Sequence, residues 1–263
     1  MHSLIEIPQN PNVHILFLTF NRLYYTQKTL PALLESADTV SCQIRIVDNG
    51  STDGTVEYLQ KLSHPKIERI IYNNKNEGLV KPTKKFWKES NAEFIGKIDN
   101  DILVPKGCIE KLVDAHQKIP ELGVVGYCHF REDDFDNNKV KQKVETINGV
   151  YLRKQPWIGG NYIVKRDTVI QNPDYRQSRK LFQRRILYGF NKYQEKLSDN
   201  GYIHGYISNP QKELLLWEHL DDPRNPLYHL NEEYQKIRNM STQNIIKWYK
   251  KDAQDLLEQY IEQ

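Results

Sequence analysis

The stretch Phe94-Ile95-Gly96-Lys97-Ile98-Asp99-Asn100-Asp101 decides which fold this chain adopts. Most of its first five residues suit the interior of a sheet, so the stretch predicts a buried strand that ends on two acids. Because side chains alternate between the two faces of a strand, Asp99 and Asp101 can point in the same direction. Two such carboxylates suit Mg²⁺ or Mn²⁺, whereas an ordinary acidic turn before a helix is the simpler interpretation. The residues before the stretch favour the metal site.

Three further β-branched or aromatic runs precede this strand, at 13–20, 44–47 and 67–72. Each run ends in polar residues and leads into a segment with helical apolar spacing. Strands and helices therefore alternate four times in the first hundred residues, which predicts a parallel, doubly wound α/β sheet. Open sheets of this kind bind ligands at the carboxyl ends of their strands, where the polar residues lie.

The composition excludes several classes of protein. With 38% apolar and 27% charged residues the chain is globular, and a net charge of +3 is too small to indicate a nucleic-acid binder. Cys42, Cys108 and Cys128 are widely spaced in apolar segments, which favours buried, reduced thiols. The N-terminus lacks the pattern of a signal peptide, and no apolar run has the length of a membrane span. We therefore expect a cytoplasmic protein, with association at the inner face of the membrane as a further option.

Four ordered motifs resemble those of family 2 glycosyltransferases with the GT-A fold. They are Thr19-Phe20-Asn21-Arg22, Val47-Asp48-Asn49-Gly50-Ser51-Thr52-Asp53-Gly54-Thr55, Asn76-Glu77-Gly78 and Asp99-Asn100-Asp101. The second is similar, almost letter for letter, to the family's V-D-D/N-G-S-T-D-x-T segment. The resemblance covers 13–130 well and 155–205 loosely. It implies a Rossmann-like, mostly parallel sheet flanked by helices over 1–228.

The resemblance also implies the donor site. Asp48 would hold the base or ribose of a nucleoside diphosphate, and Asn49 stands where many members have a second Asp. Asp101 would bind the metal, and Asp99 would reach the metal, the ribose or the sugar. Lys81, Lys84 and Lys85 lie in a helix predicted from about residue 81 to 90, and for them a solvated helix face is the alternative. The residues expected on the nucleotide side are Thr19, Asn21, Arg22, Asp48, Asn49, Asn76, Gly78, Lys81, Lys84, Asp99 and Asn100.

The acceptor side is less well marked in the sequence. By resemblance, a glycine-led strand borders the acceptor cavity, which makes Trp157, Gly160 and Asn161 candidates. His219 follows an apolar run read as a last strand over 214–219, and it is either a further metal ligand or a structural histidine. The family's catalytic acids are absent, because Gly189 and Phe190 occupy their positions. Either another acid is the base, with Asp221 and Asp222 as candidates, or the register of this helix slips, or transfer retains configuration and needs no such base.

Three segments leave alternatives open. The acidic loop at 131–138 is an acceptor lid or a solvated loop. The basic stretch at 176–192 suits anionic lipid headgroups, a lipid-diphosphate acceptor or a nucleic acid, with a solvated helix face as the simpler interpretation. Residues 229–263 have helical apolar spacing, and this extension packs on the domain or forms an oligomer interface, such as that of a homodimer.

The resemblance implies a metal-dependent glycosyltransferase that uses a nucleoside diphosphate sugar, with a UDP-sugar foremost. The acceptor would be a glycan, a lipid-linked sugar or a protein, in surface polysaccharide or glycoconjugate synthesis. A non-catalytic nucleotide-sugar-binding protein and a transferase acting on a nucleic-acid acceptor are the alternatives. A nucleotidyltransferase fits less well, because 19–22 is not a glycine-rich phosphate loop.

Overall fold

The computed structural model describes residues 12–175, 188–231 and 240–259. Its strands, numbered along the chain, are β1 Val13–Thr19, β2 Cys42–Asp48, β3 Ile67–Tyr72, β4 Phe94–Asp99, β5 Ile102–Leu103, β6 Leu122–Gly126, β7 Val144–Ile147, β8 Val150–Gln155, β9 Tyr162–Lys165, β10 Ile203–Ile207 and β11 Glu218–His219. Its helices are α1 Leu23–Ser36, α2 Thr55–Gln60, α3 Val80–Glu89, α4 Cys108–Lys118, α5 Asn137–Lys141, α6 Arg166–Gln171, α7 Tyr188–Asp199 and α8 Thr242–Gln259. Short 3-10 turns occupy Ala37–Thr39, Glu132–Asp134 and Tyr228–Asn231.

Nine of these strands form one sheet in the order β3-β2-β1-β4-β9-β6-β10-β8-β7. Strands β8 and β9 run against the other seven, so the sheet is mostly parallel, as predicted. Strands β5 and β11 form a separate antiparallel pair in which His219 lies opposite Ile102. This pairing places His219 beside Ile102, the residue after Asp101, although 118 positions separate His219 from Asp101 in the sequence.

The alternation of β1 divides the interior into two layers. Val13, Ile15 and Phe17 are fully buried with residues of α1 and α4 in the first layer. Leu16 and Leu18 are buried on the opposite face, in a second core that also contains residues of α3, α7 and α8. Each such apolar side chain contributes roughly 1.5–3 kcal/mol on burial. The continuous apolar character of β1 follows from this two-sided burial.

The prediction of a continuous last strand over 214–219 is wrong. Leu214 forms an isolated bridge with Ser208 and Leu216 forms one with Cys128, so the run changes partner instead of following one neighbour. Only Glu218–His219 forms a strand. The apolar residues of the run pack in the core instead of extending a strand, since Leu214 and Trp217 are buried.

The three cysteines are buried and free, as predicted. The hairpin of β7 and β8 and the inserted strand β10 were not predicted. Within the ranges that the structure describes, no helix is both long and apolar enough to cross a membrane. The arginines and lysines at 176–185 lie outside the described residues.

Candidate active site

Asp48 ends β2 and is completely buried. Its Oδ1 atom accepts hydrogen bonds from the backbone N–H groups of Gly50 at 3.1 Å and Ser51 at 2.9 Å. Gly50 has φ +86°, and a Cβ there would lie 2.8 Å from the backbone of Lys75, so the turn requires glycine. The other oxygen, Oδ2, is buried without a hydrogen-bond donor among the described residues. Such an acceptor costs about 1–3 kcal/mol when unpaired, so Oδ2 is a candidate contact for a ligand N–H or O–H.

Both polar atoms of the Asn49 side chain, in contrast, form hydrogen bonds within the protein. Its amide nitrogen donates to Asn76 Oδ1 at 3.0 Å and to the Gly78 carbonyl at 3.1 Å. Its amide oxygen accepts from Asn73 Nδ2 and from the Glu77 backbone N–H, both at 3.0 Å. Asn49 is therefore the link that fastens the loop after β3 to the end of β2, and it thereby places Asn76 and Gly78.

The lysines of α3 lie at the surface. Lys81 pairs with Glu77, and its side chain is 69% exposed. Lys84 is also exposed. The structure thus does not bring either lysine into contact with Asp99 or Asp101.

Thr19 and Asn100 belong to a buried polar cluster beneath the ends of β1 and β4. Asn100 Nδ2 donates to Thr19 Oγ1 at 2.8 Å and to Thr26 Oγ1 at 3.2 Å. The two threonine hydroxyls are 2.9 Å apart. Because these polar groups satisfy one another, the cluster fixes the turn that carries Asp101. Asn21 has φ +46°, and its side-chain oxygen accepts from Thr52 N at 2.7 Å, which joins the loops after β1 and β2.

The two acids of the opening stretch have different partners. Strand β4 ends at Asp99, so Asp101 lies in the following turn and strand alternation does not extend to it. Asp99 pairs with the buried Lys97, and its backbone N–H donates to Asn161 Oδ1 at 2.6 Å. Burial raises the pKa of Asp99, the Lys97 ammonium opposes that effect, and the charge of Asp101 adds to it.

Asp101 is the centre of a second charged group. Its Oδ2 atom lies 2.5 Å from Arg22 Nη1 and 3.6 Å from His219 Nε2. Arg22 Nη2 also contacts Asp221 Oδ2 at 3.2 Å, so the guanidinium bridges two carboxylates. Burial alone would raise the pKa of Asp101, but the Arg22 and His219 charges hold it well below its usual value. Burial likewise lowers the pKa of His219, and the neighbouring Asp101 carboxylate more than reverses this, so the pKa is raised.

The pair of Asp101 and His219 fits a divalent cation. Two atoms that each lie about 2.1 Å from one ion are roughly 3 to 4 Å apart, and the observed separation is 3.6 Å. The described residues contain no group of three or more His, Cys, Asp or Glu side chains placed for a metal. Mg²⁺ and similar ions often take only one or two protein ligands and complete their shell with substrate phosphates. With a diphosphate bound, Asp101 and His219 would be the protein ligands of such an ion.

Gly160 and Asn161 lie beside Asp99. A Cβ at Gly160 would lie 3.4 Å from Asp99 Oδ2, and the Gly160 carbonyl accepts from Lys97 Nζ at 3.3 Å. Trp157 is half-buried and packs against the second core. Of the acceptor candidates, Gly160 and Asn161 therefore contact the residues around Asp99.

The candidates for the base are both engaged in ion pairs. Asp221 is buried on Arg22, and Asp222 receives Arg224 Nε at 2.9 Å and Nη2 at 2.6 Å. Arg224 also binds the buried Asp134, which fastens the loop after β11 to the 3-10 turn of the acidic segment. That segment is therefore anchored at Asp134 rather than wholly solvated. Phe190 stacks on Tyr162 in the second core, so the position of the family's acid is apolar.

A cavity of about 450 Å³ opens beside His219. Its walls include three carboxylates that the sequence did not single out as candidates for the base, Glu132, Asp133 and Glu218, of which Asp133 pairs with Arg131 and Arg224. Their position within an acidic loop and beside the candidate ligand was the available signal. Tyr249 of α8 was also missed as a polar contact, because its spacing in the helix indicated only an apolar face. The cavity is lined by His129, Phe130, Arg131, Glu132, Asp133, Leu216, Trp217, Glu218, His219, Asp222 and Asn225.

Comparison with solved structures shows the fold. The mannosyltransferase PcManGT from Pyrobaculum calidifontis, solved in complex with GDP-Man and Mn²⁺, is 17% identical with a TM-score of 0.58. The match covers 93% of this chain and 69% of that chain. TarS of S. aureus is 13% identical with a TM-score of 0.54, and the match covers 89% of this chain and 41% of that one. These likenesses confirm the expected GT-A fold.

Comparison of sequences shows the family. A search of curated proteins finds no match. The family model described as "Glycosyl transferase family 2" matches residues 15–204, which is well over half of the chain and includes all four motifs. The chain is therefore a glycosyltransferase and belongs to glycosyl transferase family 2.

Proposed function

We propose that this glycosyltransferase is metal-dependent and moves a sugar from a nucleoside diphosphate sugar to an acceptor hydroxyl. The observation that carries the proposal is the contact of Asp101 with His219 at 3.6 Å, at the end of the sheet where the donor of such folds is bound. A divalent ion held by these two residues would stabilise the negative charge that develops on the departing diphosphate.

Asp48 is proposed to select the nucleotide. Its unpaired Oδ2 would accept the N–H on the pairing edge of a base or an O–H of the ribose. Uracil and guanine both carry such an N–H group. The family resemblance favours a UDP-sugar, whereas the mannosyltransferase PcManGT was solved with GDP-Man. Both nucleotides therefore belong in the first screen.

Arg22 and Lys97 would supply fixed positive charge around the diphosphate and the sugar. Arg22 already bridges Asp101 and Asp221, and Lys97 pairs with Asp99. In this arrangement the acids are partly neutralised before the anionic donor arrives. A donor with a net negative charge then meets less repulsion than unpaired carboxylates would produce.

The acceptor is proposed to enter the cavity beside His219. An acceptor hydroxyl there would meet Glu132 and Glu218, which makes them alternatives to the ion-paired Asp221 and Asp222 as the base. The chemical class of the acceptor remains a glycan, a lipid-linked sugar or a protein. The pathway proposed is surface polysaccharide or glycoconjugate synthesis in the cytoplasm or at the inner face of the membrane.

The second candidate is a non-catalytic nucleotide-sugar-binding protein. The apolar Phe190 at the position of the family's catalytic acid favours it. Turnover separates the two, because such a protein would bind the nucleotide with Mn²⁺ and release no diphosphate with any acceptor.

The first experiment is a thermal-shift screen of UDP- and GDP-sugars with and without Mn²⁺. A ligand at 100 times its Kd stabilises the folded state by about 2.7 kcal/mol, so a true donor raises Tm measurably. Asp101→Asn should lose the Mn²⁺-dependent part of this rise and should lose diphosphate release. Asp114→Asn is the matched control, because Asp114 is a half-exposed acid on α4 whose ion partner among the described residues is Lys118. If Asp101→Asn retains the wild-type Mn²⁺ response, the proposed metal site is wrong.

A further inference from the structure

The C-terminal helix α8 is built into the domain. Five of its residues are buried in the second core: Ile245, Tyr249, Ala253, Leu256 and Leu257. Arg153 of β8 donates through Nη2 to the Leu257 carbonyl at 2.7 Å, and Ser241 Oγ accepts from Asn244 N at the start of the helix. The Ser241 contact caps the first turn of α8, while the buried residues and the Arg153 contact hold the helix against the sheet, so side chains on its inner face have defined positions.

One polar atom of this inner face reaches the candidate site. The Tyr249 hydroxyl lies 3.1 Å from His219 Nδ1, and the two rings meet edge to face with centroids 5.8 Å apart. Tyr249 is only 4% exposed, so the contact is shielded from water. The other ring nitrogen, Nε2, is the one that faces Asp101 Oδ2 at 3.6 Å.

The two ring nitrogens of His219 have different contacts: Nδ1 contacts Tyr249, and Nε2 faces Asp101. A histidine that coordinates a cation through one nitrogen must be neutral and carry its proton on the other. With the Tyr249 oxygen as acceptor, that proton stays on Nδ1 and the lone pair of Nε2 points to the side of Asp101. Groups that hold a coordinating histidine in this way affect metal affinity, typically 10- to 100-fold.

We propose that Tyr249 is a positioning residue, which holds His219 in the Nδ1-protonated tautomer with Nε2 directed at the cation site. The inference rests on the proposed metal-dependent function. On this proposal, helix α8 contributes a residue that the active site requires. That contribution gives the extension a role that does not depend on an oligomer interface.

The chain offers a matched control for this inference. Tyr193 lies in the same second core, and its hydroxyl has no hydrogen-bond partner among the described residues. Tyr193→Phe therefore removes a buried hydroxyl without touching His219, whereas Tyr249→Phe removes the hydroxyl that does. Both variants keep the aromatic ring and its packing.

The test measures Mn²⁺ binding and the histidine tautomer separately. Calorimetry with Mn²⁺ and UDP, and in parallel with Mn²⁺ and GDP, should show that Tyr249→Phe weakens Mn²⁺ binding about tenfold or more, while Tyr193→Phe matches the wild type. With the diamagnetic ion Mg²⁺ and nucleotide bound, ¹⁵N spectra of His219 should show Nδ1 protonated in the wild type and a smaller Nδ1-protonated fraction in Tyr249→Phe at the same Mg²⁺ concentration. His219→Ala identifies the His219 signals and sets the limit for complete loss of this ligand.

The outcomes separate this inference from the proposed function. If wild type binds Mn²⁺, His219→Ala binds it weakly and Tyr249→Phe binds it normally, the positioning role is refuted and the metal site stands. If wild type and His219→Ala bind Mn²⁺ equally, or neither binds it, the metal assignment of His219 fails, and the role of Tyr249 toward a metal fails with it. A wild-type His219 that stays protonated on Nε2 with Mg²⁺ and nucleotide bound would also overturn the inference.

Discussion

Replacing Asp48 by asparagine tests the nucleotide site with the smallest change in shape. The amide oxygen of the introduced side chain can still accept from the N–H groups of Gly50 and Ser51, which Asp48 Oδ1 does in the wild type. The amide nitrogen then takes the place of Oδ2, so a donor replaces the buried, unpaired acceptor. The opposite orientation would set the NH₂ group against two backbone N–H groups, and it is therefore disfavoured.

The expected loss of nucleotide affinity is large because the hydrogen bond that is removed is one to a carboxylate. A hydrogen bond to an ionised group contributes about 1.5–3 kcal/mol, which corresponds to a roughly 10- to 150-fold increase in Kd for the nucleotide. Stability should change little, because the turn keeps both of its hydrogen bonds. Loss of affinity without loss of stability is what distinguishes a ligand contact from a structural one.

Isothermal titration calorimetry with UDP and with GDP, each with Mn²⁺, measures the change in Kd. Asp38→Asn serves as the control for the loss of one negative charge, because the Asp38 side chain is 62% exposed and lies 3.8 Å from its nearest ion partner. Urea unfolding of both variants reports their stability. An Asp48→Asn protein that binds both nucleotides as tightly as Asp38→Asn would remove Asp48 from the site.

Two further predictions concern stability. Asn49→Asp, which restores the acid found in many family members, should lower the free energy of unfolding by about 1–3 kcal/mol, because a carboxylate oxygen would face Asn76 Oδ1 and the Gly78 carbonyl; an unchanged urea midpoint would contradict this. Burial lowers the pKa of His204 to about 4, although the hydrogen bond from Nε2 to the Gln194 carbonyl opposes this effect, and protonation would also break the bond that Nδ1 accepts from Val124 N. Its contribution to stability is therefore complete above the unfolded pKa of about 6.5 and is lost as pH falls toward 4, so urea unfolding of His204→Gln should show a shallower loss over this range than wild type. An equal slope in both proteins would exclude His204 as a source of the acid sensitivity.

The sequence alone determined the first half of the sheet and the edge at which the site lies. Runs of β-branched residues alternating with helical spacing specify parallel strands, and the carboxyl ends of parallel strands all lie at one edge of the sheet. Arg22, Asp48 and Asp101 follow such ends, so they had to lie at one edge whatever the rest of the chain does. For this reason the four motifs were sufficient to predict both the family and the fold.

The sequence could not show which polar atoms are free. Asp48 and Asn49 are neighbours in one motif, yet Asp48 keeps an unpaired oxygen among the described residues while the Asn49 amide is fully used within the protein. Likewise, nothing local indicates that Asp99 pairs with Lys97 while Asp101 pairs with Arg22. These hydrogen-bond and ion-pair partners depend on how loops that follow different strands pack together. The type of a residue does not indicate that packing.

The tertiary structure alone decided the second half of the site. Asp221 meets Arg22 across 199 positions of sequence, and Tyr249 meets His219 across 30. Strand β10 enters beside β6 only after the chain has formed the β7–β8 hairpin and strand β9. Periodicity is a local property and predicts which face of an element is buried, whereas the partner of that face is chosen by the packing of elements that are distant in the chain.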